Sequence, residues 1–178
     1  MINAEDNTYN TTPLYVQPLH ADSVLPQKMT DGAAAFDVCS YTAGRDVKTW
    51  QQTDDGFEIS YTETPDQELI LEPMQRAIIP TGLKVCCEPG YCIKAYPRSG
   101  LSVKNGLTLV NNAALIDSDY RDELFILVIN LSGADQVIKH GERIAQIKVE
   151  KLVDTEMVVG DLPATDSNRA GGLGSTSK

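Results

Sequence analysis

Residues 107–130 have the sequence LTLVNNAALIDSDYRDELFILVIN. The apolar run Leu107–Val110 leads through Asn and Ala residues into the apolar pair Leu115–Ile116, and aliphatic and β-branched residues in this arrangement predict two strands joined as a hairpin. Asp117 follows the pair directly, so its carboxylate is expected at a strand end, pre-positioned and partly desolvated. An aspartate at such a position is ordinarily a solvated turn residue. Other segments of the chain decide between the two roles.

Four further segments contain short motifs, in the order AAFDV (34–38), PRSGLSVK (97–104), RIAQI (143–147) and GGLGST (171–176). Together with residues 107–130 they resemble the five motifs of the trimeric deoxyuridine triphosphatases (dUTPases), over Leu14 to Thr176. Five motifs in order are far more specific than any one of them. The resemblance implies an all-β fold, a dUTPase-like β-sandwich or barrel (β-clip, jelly-roll-like) with one short helix, assembled as a homotrimer.

The composition is that of a globular protein, because 42% of the 178 residues are hydrophobic and 22% are charged. A formal net charge of −10 argues against partners such as nucleic acid or anionic membranes. No stretch approaches the roughly 18 apolar residues of a membrane span, and the N-terminus has no secretory-signal pattern. We therefore expect a soluble, intracellular protein of the cytoplasm. A bound triphosphate must then be neutralised locally, by Arg98, backbone N–H groups and a divalent ion.

Short apolar runs recur every 8–12 residues between Gly, Pro and Asp turns, which predicts an all-β sandwich or barrel over residues 13–164. A helix is expected at Ser99–Asn105, closed by Asn105-Gly106. Residues 1–12 are polar and are expected to be disordered, and the glycine-rich residues 165–178 are expected to form a flexible arm. The expected strands are residues 13–19, 33–41, 69–73, 76–80, 83–87, 91–96, 107–110, 124–129, 137–138, 143–149 and 157–159.

Residues 44–68 are interpreted as an inserted β-arm. Two runs that alternate polar and apolar residues flank Thr53-Asp54-Asp55-Gly56, and Asp-Gly between such runs is the strongest short-range hairpin signal. The gap between motif one and Pro80-Thr81-Gly82 is shorter in the dUTPases, which places the extra residues here. The arm contains the single tryptophan, Trp50.

The four cysteines lie in apolar or β-like runs. They form no C-x-x-C pair and have no histidine close by, so a zinc site is not expected. Buried, reduced thiols are the expectation for Cys39, Cys86, Cys87 and Cys92.

Motif two has the features of a phosphate site. Pro97 fixes the entry to the helix, Ser99 can cap it, and Gly100 lets the backbone approach a ligand. Arg98 adds a planar fork of donors that suits phosphate oxygens, although an ordinary capped helix with a surface arginine is the alternative. The resemblance implies that Arg98 and Ser99 hold the phosphates, with Ser99 near the oxygen that bridges the α and β phosphorus atoms. It also implies a phosphate contact for Gln146, whose alternative role is an outward-facing polar residue on an edge strand.

The resemblance places a deoxyuridine nucleotide, dUTP, on the segment around Asp117. Asn111 is expected to read the uracil edge, and Leu115 and Ile116 are expected substrate contacts in the same segment. A turn with exposed backbone N–H and C=O groups matches uracil, whereas cytosine would leave buried groups unpaired and thymine would need space for its methyl group. Tyr120 is expected to pack under the deoxyribose, where a ribose 2′-hydroxyl would clash, and a core position for its ring is compatible with that role.

Asp117 is then expected to be the general base, or the positioner, for an attacking water. The resemblance implies Mg²⁺ on the three phosphates, which together with Arg98 neutralises the charge that develops during in-line attack. Since phosphates supply most ligands of such an ion, one or two carboxylates suffice. Asp37 is the candidate, through water, and a structural turn residue is its open alternative.

Three positions depart from the family pattern. Glycines expected three residues before and five residues after Asp117 are Ala114 and Asp122. In motif five, Leu173 stands where an aromatic residue that stacks on uracil is expected, and the spacing from Arg169 to the glycine pair is one residue shorter. The expected substrate contacts in this arm are Arg169, Leu173, Gly174 and Ser175.

Two other functions fit parts of the sequence. A dCTP deaminase, which has a related fold, would require a glutamate base within residues 107–130 and a different motif two, so Ile116-Asp117-Ser118-Asp119-Tyr120 argues against it. A trimeric regulatory or binding protein on the same fold could use the 44–68 arm. The intact Asp117, Arg98 and Ser99 favour an active enzyme and leave room for a second role.

Overall fold

The computed structural model describes residues 11–64 and 67–164. In this part the chain forms twelve strands and one helix, α1 (Ser99–Asn105). The strands are β1 (Leu14–Pro18), β2 (Phe36–Cys39), β3 (Asp46–Thr53), β4 (Gly56–Glu63), β5 (Glu68–Leu71), β6 (Arg76–Cys87), β7 (Tyr91–Pro97), β8 (Leu107–Leu109), β9 (Ala114–Ile116), β10 (Glu123–Asn130), β11 (Gln136–Lys139) and β12 (Arg143–Lys151).

The strands form three sheets. The first has the order β4-β3-β6-β10-β8, with β1 also paired to β6, the second has the order β2-β12-β7-β9, and the third consists of β5 and β11. The long strand β6 is the centre of the first sheet, because its first half pairs with β3 and β10 and its second half pairs with β1. The predicted all-β fold with one short helix is confirmed.

One hydrophobic core joins the sheets. It includes Val38 of β2, Leu71 of β5, Ile79 of β6, Ile126 of β10 and Ile147 of β12, all of them 0–2% exposed. In β10 every second residue is buried and the residues between them are half-buried. This period of two is what a strand with one face on a core requires.

The hairpin predicted within residues 107–116 is wrong. Strand β8 pairs with β10 in the first sheet, whereas β9 pairs with β7 in the second, so the chain crosses between sheets in the turn from Val110 to Ala113. Ala113 has a φ of 58°, a left-handed conformation that is uncommon for alanine. Each of the two short strands therefore finds a partner distant in sequence rather than its neighbour.

Other strand predictions differ in extent. The strand predicted at 33–41 is confined to β2, and the runs at 76–80 and 83–87 are one continuous strand, β6. Met157–Val159 is not a strand, and its three side chains are 84–92% exposed. The helix has its predicted bounds and ends at Gly106, whose φ of 67° is the left-handed conformation of a helix cap.

The hairpin predicted within residues 44–68 is confirmed, and the interpretation of these residues as an insertion stays a prediction. Strands β3 and β4 pair along their whole length, and Asp54 and Asp55 form the two-residue turn. The arm is more than an appendage, because Val47 and Thr49 are fully buried and β3 pairs with β6. The first strand of the insertion is thus part of the core.

The four cysteines are free thiols, as predicted. Cys39, Cys87 and Cys92 are buried and Cys86 is half-buried. Burial raises the pKa of Cys39 and of Cys87, which keeps these thiols protonated.

Among the described residues no helix is long and apolar enough to cross a membrane. The expected disorder at the N-terminus and the expected flexible arm at 165–178 concern segments that lie mostly or wholly outside the described residues, so both stay predictions.

Candidate active site

Three of the motifs meet because their strands are neighbours. Strand β12 lies between β2 and β7, so motif four contacts motif one on one side and the start of motif two on the other. Gln146 is opposite Asp37 of β2 and opposite Tyr96 of β7. Cross-strand partners lie on the same face of a sheet, and Arg98 follows β7 directly. The edge-strand alternative for Gln146 is therefore wrong.

Asp37 binds two arginines. Its Oδ2 lies 3.3 Å from Nε of Arg98 and 3.1 Å from Nη1 of Arg143. Nη1 of Arg98 also donates to the backbone oxygen of Arg143 at 2.7 Å. The carboxylate is 13% exposed and the Arg98 side chain 25% exposed, so these charge-assisted contacts are partly shielded from water and hold the guanidinium in one orientation. Asp37 lies within a strand, and the interpretation as a turn residue is wrong.

The backbone on the two sides of Arg98 is held by Gln146 and by the start of helix α1. Nε2 of Gln146 donates to the backbone oxygen of Pro97 at 2.9 Å. Arg98 itself is the N-cap of α1, in extended conformation, and no side-chain hydrogen bond caps the helix. The predicted capping role of Ser99 is wrong. Ser99 is the first helical residue, and its side chain is exposed.

These residues surround one cavity of about 360 Å³, here called the arginine cavity. Its wall next to β2 consists of alanines, whose small side chains leave the arginines accessible. Two guanidinium groups face one carboxylate, which gives this cavity a local excess of positive charge in a chain of net charge −10. The cavity is lined by Met29, Ala33, Ala34, Ala35, Asp37, Arg98, Ser99, Gly100, Arg143 and Gln146.

The residues predicted to bind the nucleoside meet at a second cavity of about 310 Å³, here called the aspartate cavity. Asn111 and Leu115 are exposed at this cavity, and Ile78 and Leu127 form part of its apolar wall. It is lined by Ile78, Asn111, Ala114, Leu115, Ile116, Asp117, Tyr120, Leu124, Phe125 and Leu127.

A tight turn holds the backbone of Asp117 and Tyr120. The Asp117 residue is exposed, so the partial desolvation expected for its carboxylate is wrong for the single chain. The N–H of Tyr120 donates to the backbone oxygen of Asp117 at 3.2 Å, and Nη1 of Arg121 donates to the backbone oxygens of Ser118 and Tyr120 at 2.8 Å each. The Tyr120 hydroxyl donates to the backbone oxygen of Glu123 at 2.6 Å, so the ring is the part left for the cavity. Burial raises the pKa of Tyr120, which keeps the hydroxyl a donor.

Asp117 and Arg98 lie toward opposite ends of the same pair of strands. Strands β7 and β9 are antiparallel, with Ile93 opposite Ile116. Continuing this register places Asp117 beside Cys92, six residues before Arg98. At about 3.3 Å per residue the two side chains start about 20 Å apart. The two cavities also share no lining residue. One chain therefore presents two separate cavities rather than one site.

Arg143 is a cavity residue that the sequence reasoning misses. Its signal is its place at the start of motif four, three residues before Gln146. The predicted contacts of motif five lie outside the described residues and stay predictions. They are Arg169, Leu173, Gly174 and Ser175.

The side chains present fit a metal ion that binds together with a ligand rather than one held by the protein alone. The described residues contain no group of three or more His, Cys, Asp or Glu side chains that could hold a metal ion. An ion here must then take most of its ligands from elsewhere, as Mg²⁺ does on polyphosphates. Asp37 is compatible with one such ligand, since both of its ion pairs use Oδ2 and no hydrogen bond to Oδ1 occurs among the described residues.

Comparison with known proteins agrees with the resemblance to the dUTPases that the five motifs indicate. The family model described as dUTPase matches residues 45–177. A deoxyuridine 5'-triphosphate nucleotidohydrolase of Wolinella succinogenes is 34% identical over 160 residues, 90% of this chain and 91% of that protein. One of Finegoldia magna is 36% identical over 157 residues, 88% of this chain and 93% of that protein.

Solved structures match the fold. A Staphylococcus bacteriophage 80alpha dUTPase with dUpNHpp has a TM-score of 0.67 at 21% identity, covering 93% of this chain and 99% of that one. A dUTPase from phage phi11 of S. aureus, solved with a structural Mg(II) ion, has a TM-score of 0.62 at 19% identity, covering 87% and 99%. The fold and the paired cavities thus define an all-β protein of the dUTPase type. With the family model and the two bacterial relatives, the chain belongs to the dUTPase family.

Proposed function

We propose that this protein hydrolyses dUTP to dUMP and pyrophosphate. The observation that carries the proposal is the separation of two chemically distinct cavities, here called half-sites, one with two arginines and one with a single aspartate. They contain the residue types that a nucleoside triphosphate and an attacking water require. Family membership supports the choice of dUTP as the substrate.

The arginine cavity binds the phosphates. Arg98 is oriented by Asp37 and by the backbone of Arg143, so few rotamers have to be fixed when a phosphate arrives. Its guanidinium and that of Arg143 provide charge-assisted donors, and the exposed Ser99 hydroxyl is available beside them. Preorganised positive charge is most effective where negative charge develops during phosphoryl transfer.

Mg²⁺ is the proposed metal. It binds mainly to phosphate oxygens, and Oδ1 of Asp37 is placed to accept a hydrogen bond from a metal-bound water. When bound, the ion supplies further charge neutralisation at the triphosphate. The protein's own part is to hold the phosphates against the ion.

The aspartate cavity binds deoxyuridine. Backbone groups of the exposed turn at Asn111 read the uracil edge, and cytosine is rejected because it leaves polar groups unpaired. Close approach of the backbone to the base excludes the methyl group of thymine. The Tyr120 ring, whose hydroxyl is already used by Glu123, packs under the deoxyribose and leaves no space for a 2′-hydroxyl.

Asp117 positions and deprotonates the attacking water. The water proton passes to the Asp117 carboxylate, and the water oxygen attacks the α phosphorus. The bond from the α phosphorus to its bridging oxygen breaks, and pyrophosphate leaves with that oxygen. Positioned proton transfer of this kind contributes typically about 10²–10⁴-fold to the rate.

The working unit is a homotrimer with shared sites. Because Asp117 and Arg98 of one chain are about 20 Å apart, a complete site needs Asp117 from one copy and Arg98 from the next. Exposed apolar side chains also favour assembly, since Val153, Met157, Val159 and Leu162 are 83–92% exposed. A closed ring of three copies gives three equivalent sites.

Complementation between two inactive variants tests this arrangement. Asp117→Asn is expected to lower kcat by about 10²-fold or more with little change in dUTP binding, because the amide is isosteric but cannot accept the proton. Arg98→Ala removes the other half-site. When equal amounts assemble at random, half of the Asp117 positions and half of the Arg98 positions are intact, so about a quarter of the sites recover.

The measurement is pyrophosphate release from dUTP by the two variants alone and after co-refolding, with dCTP, dTTP and UTP as competing substrates. Asp122→Asn, an exposed carboxylate on the same loop, is the matched control and should keep wild-type kcat. A mixture no more active than its two parents would show that Asp117 and Arg98 act within one chain. Faster release of pyrophosphate from dCTP than from dUTP would refute the proposal that dUTP is the substrate.

A further inference from the structure

The inserted hairpin exposes an apolar face. Strand β4 carries Phe57, Ile59 and Tyr61 at alternating positions, which places them on one side of the strand. They are 55%, 53% and 65% exposed. Soluble proteins rarely leave such a row of large apolar side chains uncovered at the end of a sheet.

The neighbouring strands continue this face. Tyr61 is opposite Lys48, and Ile59 is opposite Trp50. On the other side of β3, Trp50 is opposite Arg76 of β6. The Lys48 ammonium lies 4.8 Å from the Trp50 ring, and the Arg76 guanidinium lies 4.9 Å from the Phe57 ring. These cations hold the aromatic rings in place without covering their outer surface.

A groove connects the hairpin face to the aspartate cavity. The groove has a volume of about 220 Å³ and lies beside Trp50 and Arg76. Ile78 and Leu127 line both the groove and the aspartate cavity. The hairpin face and the nucleoside half-site are therefore one continuous surface.

We propose that this face docks on a second copy of the chain, the copy whose arginine cavity completes the site at Asp117. The inserted hairpin thus acts as an intersubunit clamp beside each active site. The inference rests on the shared site of the proposed function. A copy that brings Arg98 to the aspartate cavity must cover the surface around Ile78 and Leu127, and the hairpin face continues from there.

The exposed face that a second copy would cover is mainly apolar, with Lys48 and Arg76 beside its rings. Burying Phe57, Ile59, Tyr61 and the half-buried Trp50 against that copy removes apolar surface from water, which is the main favourable term in association.

A double variant on β4 tests the clamp. Ile59→Thr with Tyr61→Thr removes two of the three exposed apolar side chains of β4 but keeps residues that favour strands. Glu58→Thr is the matched control, because Glu58 is exposed on the same strand but on its other side. Sedimentation velocity over a dilution series gives the concentration at which half of the protein is trimeric. We expect this concentration to rise by about tenfold or more in the double variant, which is about a hundredfold change in the monomer–trimer dissociation constant or about 2.8 kcal/mol per trimer, and to stay within about twofold in the control.

Activity distinguishes the clamp from a catalytic role. At protein concentrations that restore the trimer, the double variant should release pyrophosphate with a kcat within about twofold of the control, because no changed residue lines either half-site. A low kcat in a fully trimeric variant would overturn the inference. Identical dissociation of the double variant and the control would overturn it as well.

The unmodified protein offers a second test, since Trp50 is the single tryptophan. If a second copy covers the face, the fluorescence emission of Trp50 shifts to longer wavelength as the trimer is diluted and dissociates. Emission that stays constant through dissociation would refute the clamp even where a variant failed to fold. Loss of the clamp leaves dUTP hydrolysis and complementation intact, whereas failure of the proposed function abolishes both in the wild type.

Discussion

Asp37 of β2 and Arg98, which follows β7, form an ion pair at 3.3 Å across the intervening strand β12, and the same carboxylate oxygen holds Arg143 at 3.1 Å. The pair links motif one to motif two. An arginine that is held by a partly buried carboxylate loses little freedom when it binds a phosphate. In the proposed reaction, Asp37 acts on the triphosphate through Arg98, in addition to any contact of its Oδ1 with a metal-bound water.

Asp37→Asn should raise KM for dUTP by about tenfold and change kcat less. The amide keeps the shape of the carboxylate but loses its charge, so Arg98 and Arg143 are no longer fixed toward the phosphates. Steady-state pyrophosphate release at saturating Mg²⁺ measures the effect. Asp31→Asn, an exposed aspartate in the preceding loop, is the control.

A Mg²⁺ titration of the same variant separates the two roles of Asp37. The Mg²⁺ concentration for half-maximal activity should rise in Asp37→Asn, because the amide oxygen is a weaker acceptor for a metal-bound water. An unchanged Mg²⁺ requirement together with a raised KM would mean that Asp37 orients the two arginines and does not contact a metal-bound water. Wild-type values of both KM and the Mg²⁺ requirement in Asp37→Asn would show that Asp37 has no role in the reaction.

Local features of the fold were predictable from the sequence. The bounds of α1 follow from Asn105-Gly106, and the turn of the inserted hairpin follows from Asp55-Gly56. In each case the signal is the backbone preference of a few adjacent residues, glycine above all. The five motifs also identified the family, because their order along the chain is independent of strand pairing.

The pairing of the strands could not be predicted from the sequence. Nothing in LTLVNNAALI shows that Leu107–Leu109 pairs with β10 while Ala114–Ile116 pairs with β7. Both choices are decided by burial against segments far along the chain. The position of β12 between two other strands has the same origin, and it is what brings Arg143 to Asp37. The sequence reasoning therefore finds Gln146 but misses Arg143.

Val47→Ala should lower the free energy of unfolding by about 2 kcal/mol, although Val47 lies in the inserted arm. Its side chain is 0% exposed and belongs to the main core, so the substitution removes buried methyl groups and leaves a cavity. Urea unfolding at one protein concentration measures the change. Glu58→Ala, exposed on the same hairpin, should stay within about 0.5 kcal/mol of wild type. A similarly small effect for Val47→Ala would mean that this side chain contributes little to the stability of the core.

Glu150 makes stability depend on pH. Its carboxylate lies 2.7 Å from Nζ of Lys94 and accepts a hydrogen bond of 2.8 Å from the Tyr96 hydroxyl, and these contacts lower its pKa below the ordinary value of 4.5. The contribution is fully present above pH 4.5 and is lost as the pH falls through the lower, folded-state pKa. Glu150→Gln should therefore be less stable than wild type at pH 7, and the two should converge in acid. Urea midpoints between pH 7 and pH 3 measure this, with the exposed Glu156→Gln as control. Midpoints that run parallel down to the lowest pH would contradict it.

Two adjacent alanines should respond in opposite ways to the same substitution. Ala113 has a φ of 58°, in the left-handed region where a Cβ costs roughly 1–2 kcal/mol, whereas Ala114 lies in β9 opposite Ala95. Ala113→Gly should raise the free energy of unfolding by about 0.5–1 kcal/mol, since relief of this strain exceeds the added freedom of the unfolded chain. Ala114→Gly, which restores the residue that the dUTPase pattern carries, should lower it by about 0.5–1 kcal/mol, because glycine inside a strand loses more freedom on folding.

Thermal unfolding of the two variants and the wild type at equal protein concentration measures the difference, which removes the effect of assembly on the midpoint. The order expected is Ala113→Gly above wild type and wild type above Ala114→Gly. Both glycines should leave KM for dUTP within a few-fold, because the reading of uracil depends on backbone groups that neither change removes. The reverse order would mean that the left-handed residue of this turn is Ala114, at the position of the family glycine. The crossing from β8 to β9 would then have the family geometry, and the tolerance of Ala114 in this chain would need a different explanation.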